Sequence, residues 1–138
     1  LAELHEDDAL RAVRAAVDMR KALVELKERW DREGHPRPGL EMGVGINSGE
    51  VFVGMLGSAQ RINYTVIGDT ANLAARIQDL TKTYVWPILV SESTYQAVKE
   101  EFDAEFADSV VVKGKTAAVN LYKITAWKKT GDQVYGWK

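Results

Sequence analysis

The sequence contains no cysteine among its 138 residues, which excludes disulfide cross-links, thiolate metal ligands and thiol nucleophiles. Neither sign of charge dominates, because 18 lysines and arginines stand against 20 aspartates and glutamates. A protein that coats nucleic acid needs an excess of cations to neutralise phosphates, so we expect no nucleic-acid partner. No apolar run approaches the ~18 residues of a membrane span, so we expect no membrane contact by this domain.

The composition is that of a folded domain. Hydrophobic residues make up 46% of the chain and charged residues 28%, and the length lies within the single-domain range. The chain begins with Leu1 rather than methionine, and its first residues are acidic, unlike a signal peptide. We therefore expect one domain over residues 1–138, truncated at its N-terminus, with a C-terminal tail from about residue 126.

The longest helical pattern extends from about residue 7 to residue 32. Arg20 and Lys27 interrupt its apolar arc, so part of that arc should meet solvent or a polar partner. Residues 34–39 contain two glycines and two prolines and should end the helix. The apolar arc covers about half of the helical wheel and consists of Leu10, Val13, Val17, Leu23, Val24, Leu26 and Trp30.

A hairpin should follow the first helix. Apolar residues alternate over residues 40–46, and Gly43 and Gly45 occupy the other face, which lets another element approach the backbone closely. The expected later elements are strands at 50–55, 63–67 and 87–90, helices at 71–82 and from Ser91 to about 101, and closing strands at 106–112 and 117–124. The order α-β-β-β-α-β-α-β-β indicates an α+β fold with an antiparallel-rich sheet.

Two short motifs suggest nucleotide sites but fail on context. Gly43 and Gly45 lie within a strand and do not open a helix, as a dinucleotide fingerprint would require. Gly114-Lys115-Thr116 lacks the upstream glycine of a phosphate loop. Neither motif supports a function by itself.

A longer and ordered set of motifs carries more information. Residues 45–54 read GINSGEVFVG, residues 64–76 read YTVIGDTANLAAR, and a closing hairpin carries VKGK at 112–115 with NLY at 120–122. This set resembles the class III adenylyl/guanylyl cyclase catalytic domain, and the resemblance extends from about residue 9 to residue 124. It implies a ferredoxin-like α+β domain that forms a head-to-tail homodimer with its active sites at the subunit interface.

The resemblance implies conversion of ATP to 3′,5′-cyclic AMP and pyrophosphate with Mg²⁺ or Mn²⁺. Asn72 resembles the asparagine that orients the ribose, and Arg76 resembles the arginine that stabilises charge at the transferring phosphorus. Because the two residues are four apart, both side chains should project from one helix face. Lys113 resembles the lysine for the terminal phosphates, Thr65 stands where the family recognises the purine, and the Val66 backbone should lie beside the base.

The departures from the family pattern concern the metal ions. The family's two metal-binding aspartates and its purine-selecting lysine belong to a segment before the first helix of this chain, so no residue here takes those roles. His5 and His35 are the only histidines and lie in polar flanks, and Asp69 is expected to cap a helix. We therefore expect the metal ligands upstream of this chain and no turnover by the chain alone.

Two other interpretations stay open beside the adenylate cyclase. One is a non-catalytic cyclase-like module for dimerisation or regulation, which retention of Asn72, Arg76, Lys113 and Thr65 disfavours. The other is a diguanylate-cyclase-like domain or a ferredoxin-like domain of another purpose. It lacks support, because the characteristic acidic Gly-Gly signature is absent from this sequence. The resemblance implies a cytoplasmic domain and leaves open whether its parent is soluble or anchored to a membrane.

Overall fold

The computed structural model describes residues 6–48, 50–56, 65–67, 72–111 and 118–137. Lys113, Asp69, Gly49 and residues 57–64 therefore lie outside the described residues. The helices and strands are α1 (Glu6–Arg32), β1 (Glu41–Asn47), β2 (Glu50–Leu56), β3 (Thr65–Ile67), α2 (Asn72–Tyr84), β4 (Ile88–Ser91), α3 (Glu92–Val98), β5 (Phe102–Val111), β6 (Ala118–Trp127) and β7 (Asp132–Gln133).

The strands form one sheet in the order β3-β2-β1-β4-β6-β5, with β7 paired to β6. Of the strand pairs in the described ranges, β1–β4 is parallel and the others are antiparallel. The parallel pair requires a long crossover connection, which β2, β3 and α2 supply. The predicted α+β class and antiparallel-rich sheet are confirmed.

Helices cover both faces of the sheet. On one face α1 and α3 pack together, and alternate residues of β1 join their core: Met42, Val44 and Ile46 are buried there with Val13 and Val17 of α1. On the other face α2 contacts β1, β2 and β4. A smaller apolar cluster on the second face contains Ile77, Leu89 and Leu121. No helix in the described ranges is long and apolar enough to cross a membrane.

The polar interruption of the α1 arc has a partner. Arg20 is only 5% exposed, and its Nη1 donates to Glu41 Oε1 at 2.5 Å. Lys27 Nζ donates to Glu41 Oε2 at 3.1 Å and to the Leu40 carbonyl at 2.7 Å. The polar partner expected for this arc is therefore Glu41, which stands at the start of β1. We call Arg20, Lys27 and Glu41 the buried charge cluster.

Residues 132–137 pack against the domain. Val134 is 4% exposed, and its amide donates to the Thr125 carbonyl. The carbonyls of Tyr135 and Gly136 accept from Arg20 Nη2 at 3.4 and 3.2 Å. Trp137 donates through Nε1 to the Met42 carbonyl at 3.0 Å and through its amide to the Val85 carbonyl at 3.1 Å. This C-terminal segment therefore joins α1, β1 and the end of α2.

Two features around α3 differ from the expectation. The helix ends at Val98 rather than near residue 101, because residues 99–101 turn and Phe102, 1% exposed, begins β5 in the core. Ser91 holds the N-cap position, but its side chain makes no capping hydrogen bond. Its Oγ donates instead to Asn47 Oδ1 at 2.8 Å.

The ion pair between Arg14 and Glu101 joins α1 to the turn after α3. The two residues make two hydrogen bonds of 2.7 Å, and Trp127 Nε1 donates to the same carboxylate at 2.9 Å. The hydrogen bonds from Arg14, and then the attraction of its charge, hold the pKa of Glu101 below its ordinary value of 4.5. The charged form of Glu101 is therefore favoured in the folded state.

The charge of Glu101 should contribute to the stability of the fold, and a Glu101→Gln variant compared with the parent at different pH values should reveal this contribution. A carboxyl group with a folded-state pKa below its unfolded-state value stabilises the fold above the unfolded pKa, and loses that effect as pH falls through the folded pKa. We expect Glu101→Gln to lower Tm at pH 7, with a difference from the parent that shrinks below about pH 4.5. Scanning calorimetry from pH 3 to 7 measures this, with the exposed neighbour Glu100→Gln as control. An equal Tm difference at every pH would contradict it.

Candidate active site

Helix α2 lies directly on the backbone of β1, where two glycines leave room for it. A Cβ atom on Gly45 would lie 2.3 Å from the Ala74 carbonyl oxygen and 2.4 Å from the Gln78 amide nitrogen. A Cβ atom on Gly43 would lie 2.0 Å from Thr81 Oγ1. The element that approaches this face of β1, as the two glycines predicted, is therefore α2.

This seating leaves the opposite face of α2 open. Ala74, Ile77, Gln78 and Thr81 are buried toward the sheet. The side chain of Arg76 is exposed, and within the described ranges it makes no hydrogen bond or ion pair. Its guanidinium therefore keeps its donors available for a ligand, in the planar arrangement that suits phosphate oxygens.

The other predicted site residues are placed through the backbone or lie outside the described ranges. Asn72 is the first residue of α2, one turn before Arg76. Thr65 pairs with Val53 and Val66 pairs with Phe52, so both belong to β3 beside β2. Strand β3 stands at one end of the sheet, next to β2, and helix α2 also contacts β2. The first turns of α2 lie over Gly45 of β1, the strand next to β2.

A cluster of hydroxyl groups fixes the turn between β1 and β2. Ser48 has a φ of 50°, a left-handed conformation that costs energy for a residue other than glycine. Its amide donates to Thr94 Oγ1 at 2.8 Å, and its Oγ lies 2.8 Å from Ser93 Oγ. Since Ser91 also donates to Asn47, the hydroxyl groups around the start of α3 hold the last residue of β1 and the first residue of the turn.

Sequence reasoning missed this hydroxyl cluster and the role of Glu41. Serines and a threonine at positions 91, 93 and 94, directly after a buried strand, were an available signal for the cluster. An acidic residue at the first position of an otherwise apolar strand was the signal for Glu41, because such a side chain needs a cation.

The described residues do not contain a metal centre. In the ranges that the structure describes, no three histidine, aspartate or glutamate side chains are grouped so that they could hold an ion. The residues described here therefore do not fit the Mg²⁺ or Mn²⁺ that the resemblance implies.

The fold is an α+β domain in which helix α2 presents an exposed arginine that engages no other described residue. Comparison with known families identifies it further. Residues 2–126 match the adenylate and guanylate cyclase catalytic domain. The chain belongs to this family, which confirms the resemblance found in its motifs.

Curated relatives agree with this assignment. The chain is 36% identical over 129 residues to a terminal-differentiation-specific adenylate cyclase of Dictyostelium discoideum, covering 91% of this chain and 6% of that protein. It is 38% identical over 122 residues to an adenylate cyclase of Anabaena cylindrica, covering 83% of this chain and 24% of that protein. The chain therefore spans only a small part of the relatives that it matches.

Solved structures resemble this fold. The adenylyl cyclase CyaB of P. aeruginosa superposes with a TM-score of 0.60 at 30% identity, over 87% of this chain and 60% of that one. The guanylyl cyclase Cya2 superposes with a TM-score of 0.63 at 32% identity, over 94% of this chain and 64% of that one. Fold similarity is therefore about equal for an adenylyl and a guanylyl cyclase.

Proposed function

We propose that this chain is the part of an adenylate cyclase domain that binds the base, ribose and phosphates of ATP, at a site completed by a second subunit. The product is 3′,5′-cyclic AMP, and pyrophosphate leaves. One observation carries the proposal: Arg76 is exposed on the outward face of α2, one turn after Asn72, with its guanidinium unengaged in the described ranges. A donor in that position is accessible to a ligand and to a facing subunit.

In the reaction, the ribose 3′-oxygen forms a bond to the α-phosphorus, and the bond from that phosphorus to the leaving pyrophosphate breaks. Negative charge increases on the phosphoryl oxygens during this exchange. A guanidinium aimed at those oxygens stabilises the transition state more than the bound substrate. Asn72, one turn earlier on the helix, orients the ribose so that its 3′-oxygen faces the phosphorus.

The remaining contacts complete the nucleotide site. Thr65 and the Val66 backbone serve the purine, and Lys113 serves the terminal phosphates. The hydroxyl of Thr65 accepts a hydrogen bond from the 6-amino group of adenine, directly or through a water molecule. Both named curated relatives are adenylate cyclases, which supports ATP as the substrate. The ligands for Mg²⁺ or Mn²⁺ are proposed to lie outside the described residues, so no step here depends on an ion.

Substrate choice is tested with the complete protein that carries these residues. Supplied with Mn²⁺ and either ATP or GTP, it should form cyclic AMP in preference to cyclic GMP. Equal use of GTP would contradict the adenylate assignment while leaving catalysis intact. Absence of both products would favour the non-catalytic dimerisation module.

A shared site predicts complementation between chains. Residues 1–138 alone should form no cyclic AMP. Added to complete protein carrying Asn72→Ala and Arg76→Ala, they should restore activity that rises and then saturates, because the added chain repairs one of two symmetric sites. The same chain carrying Arg76→Ala is the matched control and should restore nothing. If the unsubstituted residues 1–138 are folded but restore no cyclic AMP formation even when added in excess, the shared site is contradicted.

A further inference from the structure

We propose that Gly45 is the positioning residue for Arg76, an inference that rests on the proposed function of that arginine. Gly45 lies near the end of β1, and the segment of α2 above it extends from Ala74 to Gln78, with Arg76 at its centre. The atoms that face Gly45 most closely are the Ala74 carbonyl oxygen and the Gln78 amide nitrogen. Both atoms belong to the backbone of α2. The closest contact between β1 and α2 at Gly45 therefore falls in the helix segment that contains Arg76.

The contact leaves no space for a side chain on the strand. In real proteins, Cβ atoms essentially never lie within 3.0 Å of such a heavy atom. A Cβ atom added to Gly45 would lie 2.3 Å from the Ala74 carbonyl oxygen and 2.4 Å from the Gln78 amide nitrogen. Because no rotamer change moves backbone atoms, only displacement of the helix relieves this overlap. Interiors are packed too densely to absorb such a shift without moving neighbouring groups.

Gly43, two residues earlier in β1, provides a contrast. A Cβ atom there would meet Thr81 Oγ1 at 2.0 Å and Thr81 Cβ at 2.9 Å, which are both side-chain atoms. Truncating Thr81 to alanine removes the nearer of them. Thr81 Cβ would remain at 2.9 Å, just inside that limit, and Gln78 Nε2 at 3.2 Å. A second substitution therefore relieves most of the overlap at Gly43, whereas none relieves the overlap at Gly45.

The far end of α2 is anchored. The Tyr84 hydroxyl donates to Asp108 Oδ2 of β5, and Trp86, just after the helix, donates through Nε1 to the Ile124 carbonyl at 2.9 Å. Hydrogen bonding and charge from Asp108 raise the pKa of Tyr84, which keeps its donating hydroxyl protonated. With its C-terminal end held, α2 should respond to a methyl group at position 45 by moving its N-terminal half away from the sheet. That half carries Asn72 and Arg76.

The test compares variants of the complete protein by steady-state kinetics. Gly45→Ala should lower kcat by about 100-fold with little change in KM for ATP, because misplacement of a catalytic group by about 1 Å has that effect. Gly39→Ala is the matched control, because nothing lies within 4 Å of a Cβ added there, and it should keep the parent kcat. Gly43→Ala should lose activity, and adding Thr81→Ala should recover most of it.

A combined-variant measurement separates positioning from general damage. If Gly45 acts through the residues at the start of α2, then Gly45→Ala should lower kcat far less in an Asn72→Ala/Arg76→Ala background than in the parent. A second readout uses the absence of cysteine in residues 1–138. Spin labels on Arg76→Cys and on Glu105→Cys of β5 should report a changed distance when Gly45→Ala is introduced, and an unchanged distance with Gly39→Ala.

The outcomes distinguish this inference from the proposed function. A parent that forms no cyclic nucleotide, or an Arg76→Ala variant with normal kcat and normal KM, would overturn the proposed function. An active parent with an impaired Arg76→Ala and a normal Gly45→Ala would overturn only the positioning role. Multiplicative losses in the combined variant, an unchanged label distance, or a Gly45→Ala chain that does not fold would also overturn it, because Gly45 would then act on the fold and not on Arg76.

Discussion

Replacing Arg76 with alanine in the complete protein is expected to lower kcat for cyclic-nucleotide formation at least about 100-fold, while KM for ATP changes little. The reason is that the guanidinium engages no described residue and faces outward, so it contributes little to the fold and, as proposed above, acts on the ligand. Its removal should therefore leave Tm unchanged. Steady-state kinetics with ATP, together with thermal unfolding, measure both effects.

Two controls make this result specific. Lys82→Ala removes another exposed cation from the same helix and should leave kcat unchanged, because Lys82 contacts Asp79 at 3.8 Å and lies two turns away. Arg76→Lys keeps the charge but loses the planar pair of donors, so it should recover only part of the rate. Raised KM with normal kcat in Arg76→Ala would instead assign Arg76 to ground-state binding of the substrate.

Replacing Glu41 with alanine should destabilise the chain by about 3–5 kcal/mol, the usual effect of removing one partner from a buried ion pair. The side chains of Glu41 and Arg20 are only 5% and 6% exposed, and Glu41 pairs with both Arg20 and Lys27. Its loss therefore leaves a buried guanidinium without a counter-charge. Urea unfolding should show a lower midpoint with an unchanged slope. The exposed Glu33→Ala is the control and should unfold like the parent.

The buried charge cluster also allows a rescue. Arg20→Met combined with Glu41→Leu replaces the two most buried charges with apolar groups, and such replacements are often neutral or stabilising. Lys27, whose side chain is 18% exposed, loses the Glu41 carboxylate but keeps its hydrogen bond to the Leu40 carbonyl. The double variant should therefore be more stable than Glu41→Ala alone. If it is less stable, then the hydrogen bonds from Arg20 to the Tyr135 and Gly136 carbonyls, rather than the charge balance, dominate this region.

The helices and strands that could be predicted are those with a clear period. The α1 arc, the alternation in β1 and the apolar stripe of α2 each reflect burial on one face, and each element formed within a few residues of its expected bounds. Strand β7 has two residues and no alternation, so nothing local predicts it. Its pairing with β6 is decided by tertiary contacts of the segment that follows.

In the candidate site, too, some residues could be predicted from the sequence and others could not. Asn72 and Arg76 could be proposed because family motifs and helical spacing are both local properties of the sequence. The pairing of Arg20 with Glu41 joins residues 21 positions apart, and the Ser48–Thr94 hydrogen bond joins residues 46 apart. Such contacts depend on how the elements pack. Gly45 is an intermediate case. Its lack of a side chain predicted that another element approaches the backbone of β1, but it did not identify that element as α2.

The C-terminal segment has a practical consequence for where this domain is cut. The family match stops at residue 126, yet Val134 is buried in the same core as Met42. Trp137 donates to the carbonyls of Met42 and Val85. An expression boundary placed at residue 126 would uncover Arg20 and sever the tie to the end of α2. A fusion partner attached after Trp137 is joined mechanically to β1 and to α2, so tension on that junction reaches the helix that carries Arg76.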